Sequence, residues 1–527
     1  MSTFEPVLIA GSWRPSADAQ DGFRANDPAR AEAIGPSFPV SGRADIEAAL
    51  RAASDAADAL ANAAPSHIAD FLDAYAAAID ADADRLVALA HAETALPAEP
   101  RLRSVELPRT SNQLRQAAQA VRGYAWTDPV IDTRNGLRAH RAPLHKPVLV
   151  FGPNNFPFAF NAIAGSDFAS AIAARNPVIA KAHPSHPATS QRLAQLAHDA
   201  LKASGLPASA VQMLYHFDNA QGLALAGDTR LGAIGFTGSR AGGLALKAAA
   251  DKAGVPMYAE LSSVNPVFVL PGALAERGDA LAQEFFNSCT MGSGQFCTNP
   301  GVLIVPQGAA GDAFVHTATQ WFAGSPPKVL FSHGVQQNLA RALADLLAAG
   351  AELLAGGDSA TGYQFQPSLL LVDGEVFLAH AQALQAEAFG PVSLVVRSAD
   401  VQAMAAIAAA FEGNLTGTIY RAADGSDDAQ WQTVAANLRA RVGRLIANKM
   451  PTGVAVSPAM NHGGPYPSTS HAGFTAVGMP AAIHRFTALH SYDGVPDALL
   501  PPELRDRNPG GVQRLIDGHW SDRDITA

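Results

Sequence analysis

Cysteine is almost absent: Cys289 and Cys297 are the only two in 527 residues. That excludes a disulfide framework, and no CxxC spacing offers a structural zinc site, so no metal is expected. Charge is sparse too, at 16% Asp, Glu, Lys and Arg, against an average of about 25%. There is no basic excess. Lys+Arg 37 stand against Asp+Glu 47, a net charge of −10, which leaves neither the footprint of a nucleic-acid binder nor a polybasic anchor for anionic lipid. Long apolar runs are missing: nothing reaches the roughly 18 uninterrupted residues of a membrane span. The best candidate, VLVFGPNNFPFAF, is broken by Pro153, Asn154, Asn155 and Pro157. The opening MSTFEPVLIAGSW has no basic segment followed by an apolar run. The expectation is a cytoplasmic protein of a reducing compartment, with neither nucleic acid nor membrane as partner.

What is present is an ordinary globular apolar content, 48%, in a chain long enough for two to four domains at about 150 residues each. Residues 44–125 carry alanine-rich stretches with apolar residues at three- and four-residue spacing, which predicts amphipathic helices. Asn135-Gly136, within IDTRNGLRAHRAPLH, predicts a hairpin with a two-residue turn. From residue 147 short apolar runs alternate with helical stretches: PVLVFG, then the helical FAFNAIAGSDFASAIAAR, NPVIAKA, VQMLYHF and LGAIGFTG. Continuous apolar strands separated by helices predict a doubly wound α/β domain with a parallel sheet. A second such set, NPVFVL, VLIVP, SLLLV and SLVVR, predicts a second α/β lobe. The tail after residue 450, rich in Gly, Pro, Ser and His, reads as ordered loop.

Few residues have a context that suggests chemistry. Cys297 lies in GSGQFCTNPG, a turn in which a thiol can be reached, whereas Cys289 falls mid-helix among apolar residues and reads as buried core. Asn155 follows the strand PVLVF, at the strand end where ligands bind in parallel sheets, and its amide could donate to an oxyanion or merely shape a turn. Glu260, between two apolar runs, is either an ion-pair partner or a base with a shifted pKa. GFTGSRAGG, with Gly238 and Ser239, is one strand, Gly-rich turn and helix unit, able to aim N–H groups at phosphate or simply to make a tight turn.

Taken in order, Asn155, Lys181, Gly238-Ser239, Glu260, Cys297 and Glu387 to Pro391 resemble the aldehyde dehydrogenase superfamily over nearly the whole chain. The family's P-x-N-F-P appears as Pro153 to Pro157, its G-Q-x-C as Gly294 to Cys297, and its E-x-F-G-P as Glu387 to Pro391. Its E-L-G-G-x-x-P appears as Glu260 to Pro266, with Ser262 and Ser263 in place of both glycines. Two departures are evident. The K-P-x-E stretch reads Lys181-Ala182-His183-Pro184, without the acid expected at the adenine ribose, and HGGPYPSTS (462–470) replaces P-F-G-G-x-K-x-S-G. ETALP, LPRTSNQLR, KAHPSHPATS and GQFCTNPG look like the branch of 2-oxoglutarate semialdehyde (2,5-dioxopentanoate) dehydrogenases and NADP-linked fatty aldehyde dehydrogenases.

The resemblance implies an aldehyde dehydrogenase-like fold. The expected parts are a dinucleotide-binding domain (1–125 and 146–262), a catalytic domain (263–450), and an oligomerisation arm with C-terminal segment (126–145 and 470–527). It implies Cys297 as nucleophile, Asn155 as oxyanion donor and Glu260 as base, with Lys181, Gly238, Ser239, Glu387, Phe389 and Phe156 around NADP or NAD. A small aldehyde substrate and a homodimer or homotetramer are expected. The alternatives are a broad-range or fatty aldehyde dehydrogenase, a CoA-acylating enzyme, or a non-catalytic nucleotide-binding protein. A semialdehyde with a terminal carboxylate would need a cation, and LPRTSNQLRQAAQAVRG offers Arg109, Arg115 and Arg122. Of these, Arg115 and Arg122 lie two turns apart on one helix face.

Overall fold

The computed structural model describes residues 4–526. The apolar runs from residue 147 form the centre of a seven-stranded sheet. Across it lie Met257–Glu260, Ala233–Thr237, Val148–Phe151, Val178–Lys181 and Val211–Leu214, all parallel, then Val7–Ile9 and Ser12–Arg14, antiparallel at one edge. Val148–Phe151 is the first of the parallel strands in sequence, yet it sits between the second and the fourth. The strand order therefore reverses between Val148–Phe151 and Ala233–Thr237, and such a switch point opens a crevice at the carboxyl ends of the strands. Helices Ser166–Ala173, Pro187–Ser204, Asn219–Ala226 and Arg240–Lys252 make the crossovers.

A second seven-stranded sheet runs Glu352–Ala355, Ser368–Asp373, Val392–Ser398, Val302–Pro306, Val267–Val269, Asn414–Tyr420 and Val442–Ala447, parallel but for the first. A third sheet, of five strands, joins Val130–Asp132 and Leu137–Pro143 to Thr487–Asp493 and to Arg514–Ile516 with His519–Ser521. The alanine-rich N-terminal stretches are the helices Arg43–Ala61, Pro65–Ala81, Ala83–Thr94 and Leu107–Arg122. No helix among the described residues is long and apolar enough to cross a membrane.

Three expectations need correction. The helix read over FAFNAIAGSDFASAIAAR is only Ser166–Ala173. Before it, the N–H groups of Phe158 and Ala159 donate to Glu106 Oε1 at 2.8 and 3.0 Å, and a Cβ on Gly165 would lie 2.5 Å from Phe160 Cα. A distant carboxylate thus takes the hydrogen bonds that local periodicity would assign to a helix. The Asn135-Gly136 hairpin is real, but Asp132 pairs with Leu137, leaving a four-residue loop. Asp132 accepts from the Asn135 backbone and side chain at 3.0 and 2.8 Å, holding the wider turn. Finally, strands Asn414–Tyr420, Val442–Ala447 and those before residue 40 lie outside the runs read from the sequence.

Candidate active site

The two large sheets meet with opposite ends facing. Asn155 follows strand Val148–Phe151 and Glu260 ends Met257–Glu260, so both stand at carboxyl ends in the first sheet. Cys297 lies in the loop before Val302–Pro306, at the amino end of a strand of the second. That loop is pinned from both sides. Asn265, in the left-handed region at φ 49°, donates its Nδ2 to the Cys297 and Asn299 carbonyls at 2.9 and 2.8 Å. Asn155, buried, donates its Nδ2 to Gln295 O at 3.0 Å. Arg101 in turn donates to the Asn155 carbonyl at 3.0 Å and pairs with Glu106.

The tail supplies a residue that motif reading missed. Residues 464–470 run beside the end of the Met257–Glu260 strand, where Leu261 N donates to Ser468 O at 2.8 Å and Ser470 N to Ala259 O at 2.9 Å. This brings His462 against the other two groups. Its Nε2 is 3.5 Å from Cys297 Sγ and 3.0 Å from Glu260 Oε1. Glu260 and His462 are buried, and neither Glu260 oxygen has a well-aligned hydrogen bond. Burial pushes the Cys297 thiol well above its ordinary pKa, Glu260 pushes it further, and Arg109 opposes them. Sulfur, imidazole nitrogen and carboxylate oxygen lie within 4.8 Å of one another, a donor set a divalent ion could also take. The signal in the sequence was the histidine where the family motif has an aromatic residue.

A cleft of about 630 Å³ opens over this cluster. Cys297, Glu260 and Asn155 lie along its wall, together with Gly238, Ser239, Glu387 and Phe389. Ser239 caps helix Arg240–Lys252, its Oγ accepting from Gly242 N at 3.3 Å, so the positive end of the helix faces the cleft. Gly243 allows close approach: a Cβ there would lie 2.3 Å from Leu261 Cδ2. Burial raises the Glu387 carboxyl to about 7, opposed by hydrogen bonds from Ser262 and Ser263, the residues replacing the family's glycines. A helix terminus for a diphosphate and a carboxylate for ribose hydroxyls, at a sheet switch point, fit a dinucleotide.

The remaining expected residues are placed differently. Lys181 ends its strand with Nζ 5.9 Å from the Phe217 ring, and burial brings its pKa down to about 8. It is His183 that lines the cleft, and the hollow that continues from it past Pro184 is lined by Arg24 and His216 with no carboxylate. Phe156, expected at the cofactor, packs instead edge-to-face on Phe160 and Phe296 at 5.2 and 5.5 Å. Arg115 and Arg122 point outward to Asp80 and to Asp70 and Asp73. The helix face they share is the solvent face, so neither reaches the site. Cys289 is buried, as expected.

Comparisons with known proteins identify the family. The model of the "Aldehyde dehydrogenase family" matches residues 13–491. "Alpha-ketoglutaric semialdehyde dehydrogenase 2" of Azospirillum brasilense is 42% identical, over 97% of this chain and 99% of the relative. "Alpha-ketoglutaric semialdehyde dehydrogenase" of Acinetobacter baylyi is 38% identical, over 85% and 86%. Among solved structures, PnpE from Pseudomonas sp. WBC-3 superposes with a TM-score of 0.78 at 22% identity, covering 93% of this chain and 97% of its own. PnpE in complex with nicotinamide adenine dinucleotide gives 0.79 with the same identity and coverage, a likeness of fold. Because the family match takes in every residue of the cleft and the histidine beside it, the chain belongs to the aldehyde dehydrogenase family, oxidoreductases that act on aldehydes with NAD or NADP.

Proposed function

We propose that this site oxidises 2-oxoglutarate semialdehyde, a short aldehyde with a terminal carboxylate, to 2-oxoglutarate, with NADP accepted beside NAD. The observation that carries the reading is the contact of Cys297 and Glu260, on the cleft wall, with His462 beside them. The two relatives named for this semialdehyde support the substrate. The lining around Pro184, with Arg24 and His216 and no acid to repel a 2′-phosphate, supports NADP.

A thiol held protonated by burial needs a base at the moment of attack. His462 Nε2 takes the Sγ proton across 3.5 Å and passes it to Glu260 Oε1 across 3.0 Å, leaving a thiolate beside a neutral imidazole. The thiolate attacks the aldehyde carbon. The Asn155 Nδ2 hydrogen not engaged by Gln295 then donates to the resulting oxyanion. Ser239 and Glu387 would hold NAD(P) in the cleft, where it would supply the hydride acceptor for that carbon. Glu260, once its proton is lost to solvent, draws a proton from the water that hydrolyses the thioester, and the second carboxylate forms. Retention of this base argues against release to coenzyme A.

Residues 1–125 and 146–262 form the dinucleotide-binding domain, 263–450 the catalytic domain, and 126–145 with 470–527 the arm, a division that follows the three sheets. The arm makes a homodimer or homotetramer; the exposed Leu489 on its edge strand supports this.

The test is Cys297→Ala with 2,5-dioxopentanoate and NADP. Wild type should yield 2-oxoglutarate, and the variant should keep cofactor binding with less than about 1% of kcat, a barrier increase of at least roughly 2.7 kcal/mol. Substantial turnover by the variant would overturn the assignment of the nucleophile. Absence of 2-oxoglutarate from the wild-type reaction would overturn the substrate.

A further inference from the structure

We propose that the guanidinium of Arg109 is the receptor for the carboxylate at the far end of the aldehyde substrate. This rests on the reading of Cys297 as the group that holds the aldehyde carbon.

Arg109 sits in the first turn of helix Leu107–Arg122, and its Nε and Nη2 are sealed from solvent with no hydrogen-bond partner. No acid in the described structure forms an ion pair with it. Glu106, three residues before it, is fully engaged: one oxygen pairs with Arg101, and the other accepts from the Phe158 and Ala159 N–H groups at 2.8 and 3.0 Å. Instead, the Arg109 guanidinium lies 5.0 Å from the Phe160 ring centroid and 5.5 Å from that of Phe156. Aromatic faces hold a cation in place without neutralising it.

Those rings lead to the reacting atoms. Phe160 is 5.7 Å from the His462 ring, and Phe156 is 5.5 Å from Phe296, the neighbour of Cys297 in the chain. The positive charge of Arg109 is felt at the thiol, where it favours the thiolate. Arg109 is therefore a half-buried cation close to Cys297, whose sealed Nε and Nη2 lack an anion.

Leaving a buried charge unpaired is costly, and a ligand that supplies the opposite charge recovers that cost. The guanidinium fork matches a carboxylate in two parallel hydrogen bonds, a geometry a lysine ammonium cannot reproduce. An aliphatic aldehyde ending in a methyl group would enter the same site and leave the fork bare, so discrimination comes from the unpaired state.

The experiment compares kcat/KM for succinate semialdehyde with butanal, and for 2,5-dioxopentanoate with pentanal, in wild type, Arg109→Met and Arg109→Lys. Wild type should prefer the charged member of each pair. The Met variant should lower that preference on the order of a hundredfold, chiefly through KM, as expected for removing one partner of a buried charge pair. The Lys variant, which keeps the charge and loses the fork, should fall between the two. Calorimetric binding of 2-oxoglutarate to Cys297→Ala should likewise be lost on adding Arg109→Met. A wild-type preference left intact by both variants, equal losses for charged and uncharged aldehydes, or retained 2-oxoglutarate binding would each overturn the role of Arg109 while leaving the substrate reading standing. A wild type with no preference for the charged aldehydes would overturn both.

Discussion

At the scale of single residues, the histidine beside Cys297 carries the sharpest consequence. Because burial holds the Cys297 thiol protonated, the rate of thiolate formation depends on the base that faces it. His462→Phe, which restores the aromatic residue of the family motif, should slow kcat by about 100-fold, the lower end for a lost general base. It should also slow alkylation of Cys297 by iodoacetamide; an unchanged alkylation rate would remove His462 from the relay. Glu387 gives a pH effect whose sign follows from its carboxyl, raised to about 7 by burial. In the proposed cofactor site the ionised form accepts two ribose hydroxyls, so KM for NADP should fall as pH rises through about 7. The stability linkage runs the other way. A carboxyl raised in the folded state stabilises the fold at low pH, and that contribution is lost as pH climbs past the folded value. Glu387→Gln should flatten the KM profile between about pH 6 and 8; a profile of unchanged slope would mean that another group sets it.

At the scale of elements, the Cys297 loop is held by backbone packing as much as by side chains. Gly294 has φ 71°, and a Cβ on it would lie 2.1 Å from Gly390 O and 2.4 Å from Pro391 N. The glycine of the cysteine motif and the Gly-Pro of the Glu387 motif are thus two sides of one contact, which explains why both need small or rigid residues. Gly294→Ala should displace the Cys297 loop and cost at least the ~1–2 kcal/mol of a left-handed non-glycine residue. It should lower kcat while cofactor binding at Ser239 persists. A melting temperature and kcat equal to wild type would show that the contact is slack. The buried Glu93 of the ETALP stretch acts similarly at longer range. It accepts from the Ala188 and Thr189 N–H groups at 2.8 and 2.9 Å, capping helix Pro187–Ser204. Two stretches that looked like separate branch signatures are one hydrogen-bonded unit.

At the scale of the whole molecule, the five-stranded sheet leaves strand Thr487–Asp493 at an edge, with Leu489 77% exposed. An uncovered edge with an apolar side chain invites pairing with another copy. Leu489→Lys should lower the mass seen by light scattering from an oligomer to a monomer, with the cofactor cleft intact; an unchanged mass would place the interface elsewhere. Much of the architecture was readable from the chain alone. Strands buried on both faces must be continuous apolar runs, and the chemistry of a thiol, an amide and a carboxylate is a property of residue type, so Cys297, Asn155 and Glu260 stood out in sequence. Adjacency did not. His462 is 165 residues from Cys297 and meets it only because the tail runs beside the strand that ends in Glu260. Arg109, Arg115 and Arg122 share one helix, and their spacing favoured the latter pair as neighbours. Which face of that helix is buried was decided by Phe156 and Phe160 packing on one side and by Asp70, Asp73 and Asp80 on the other. Local sequence sets what a segment can form and what its side chains can do. Long-range packing alone selects the partners they meet, because the contacts that do so join residues with no relation in the chain.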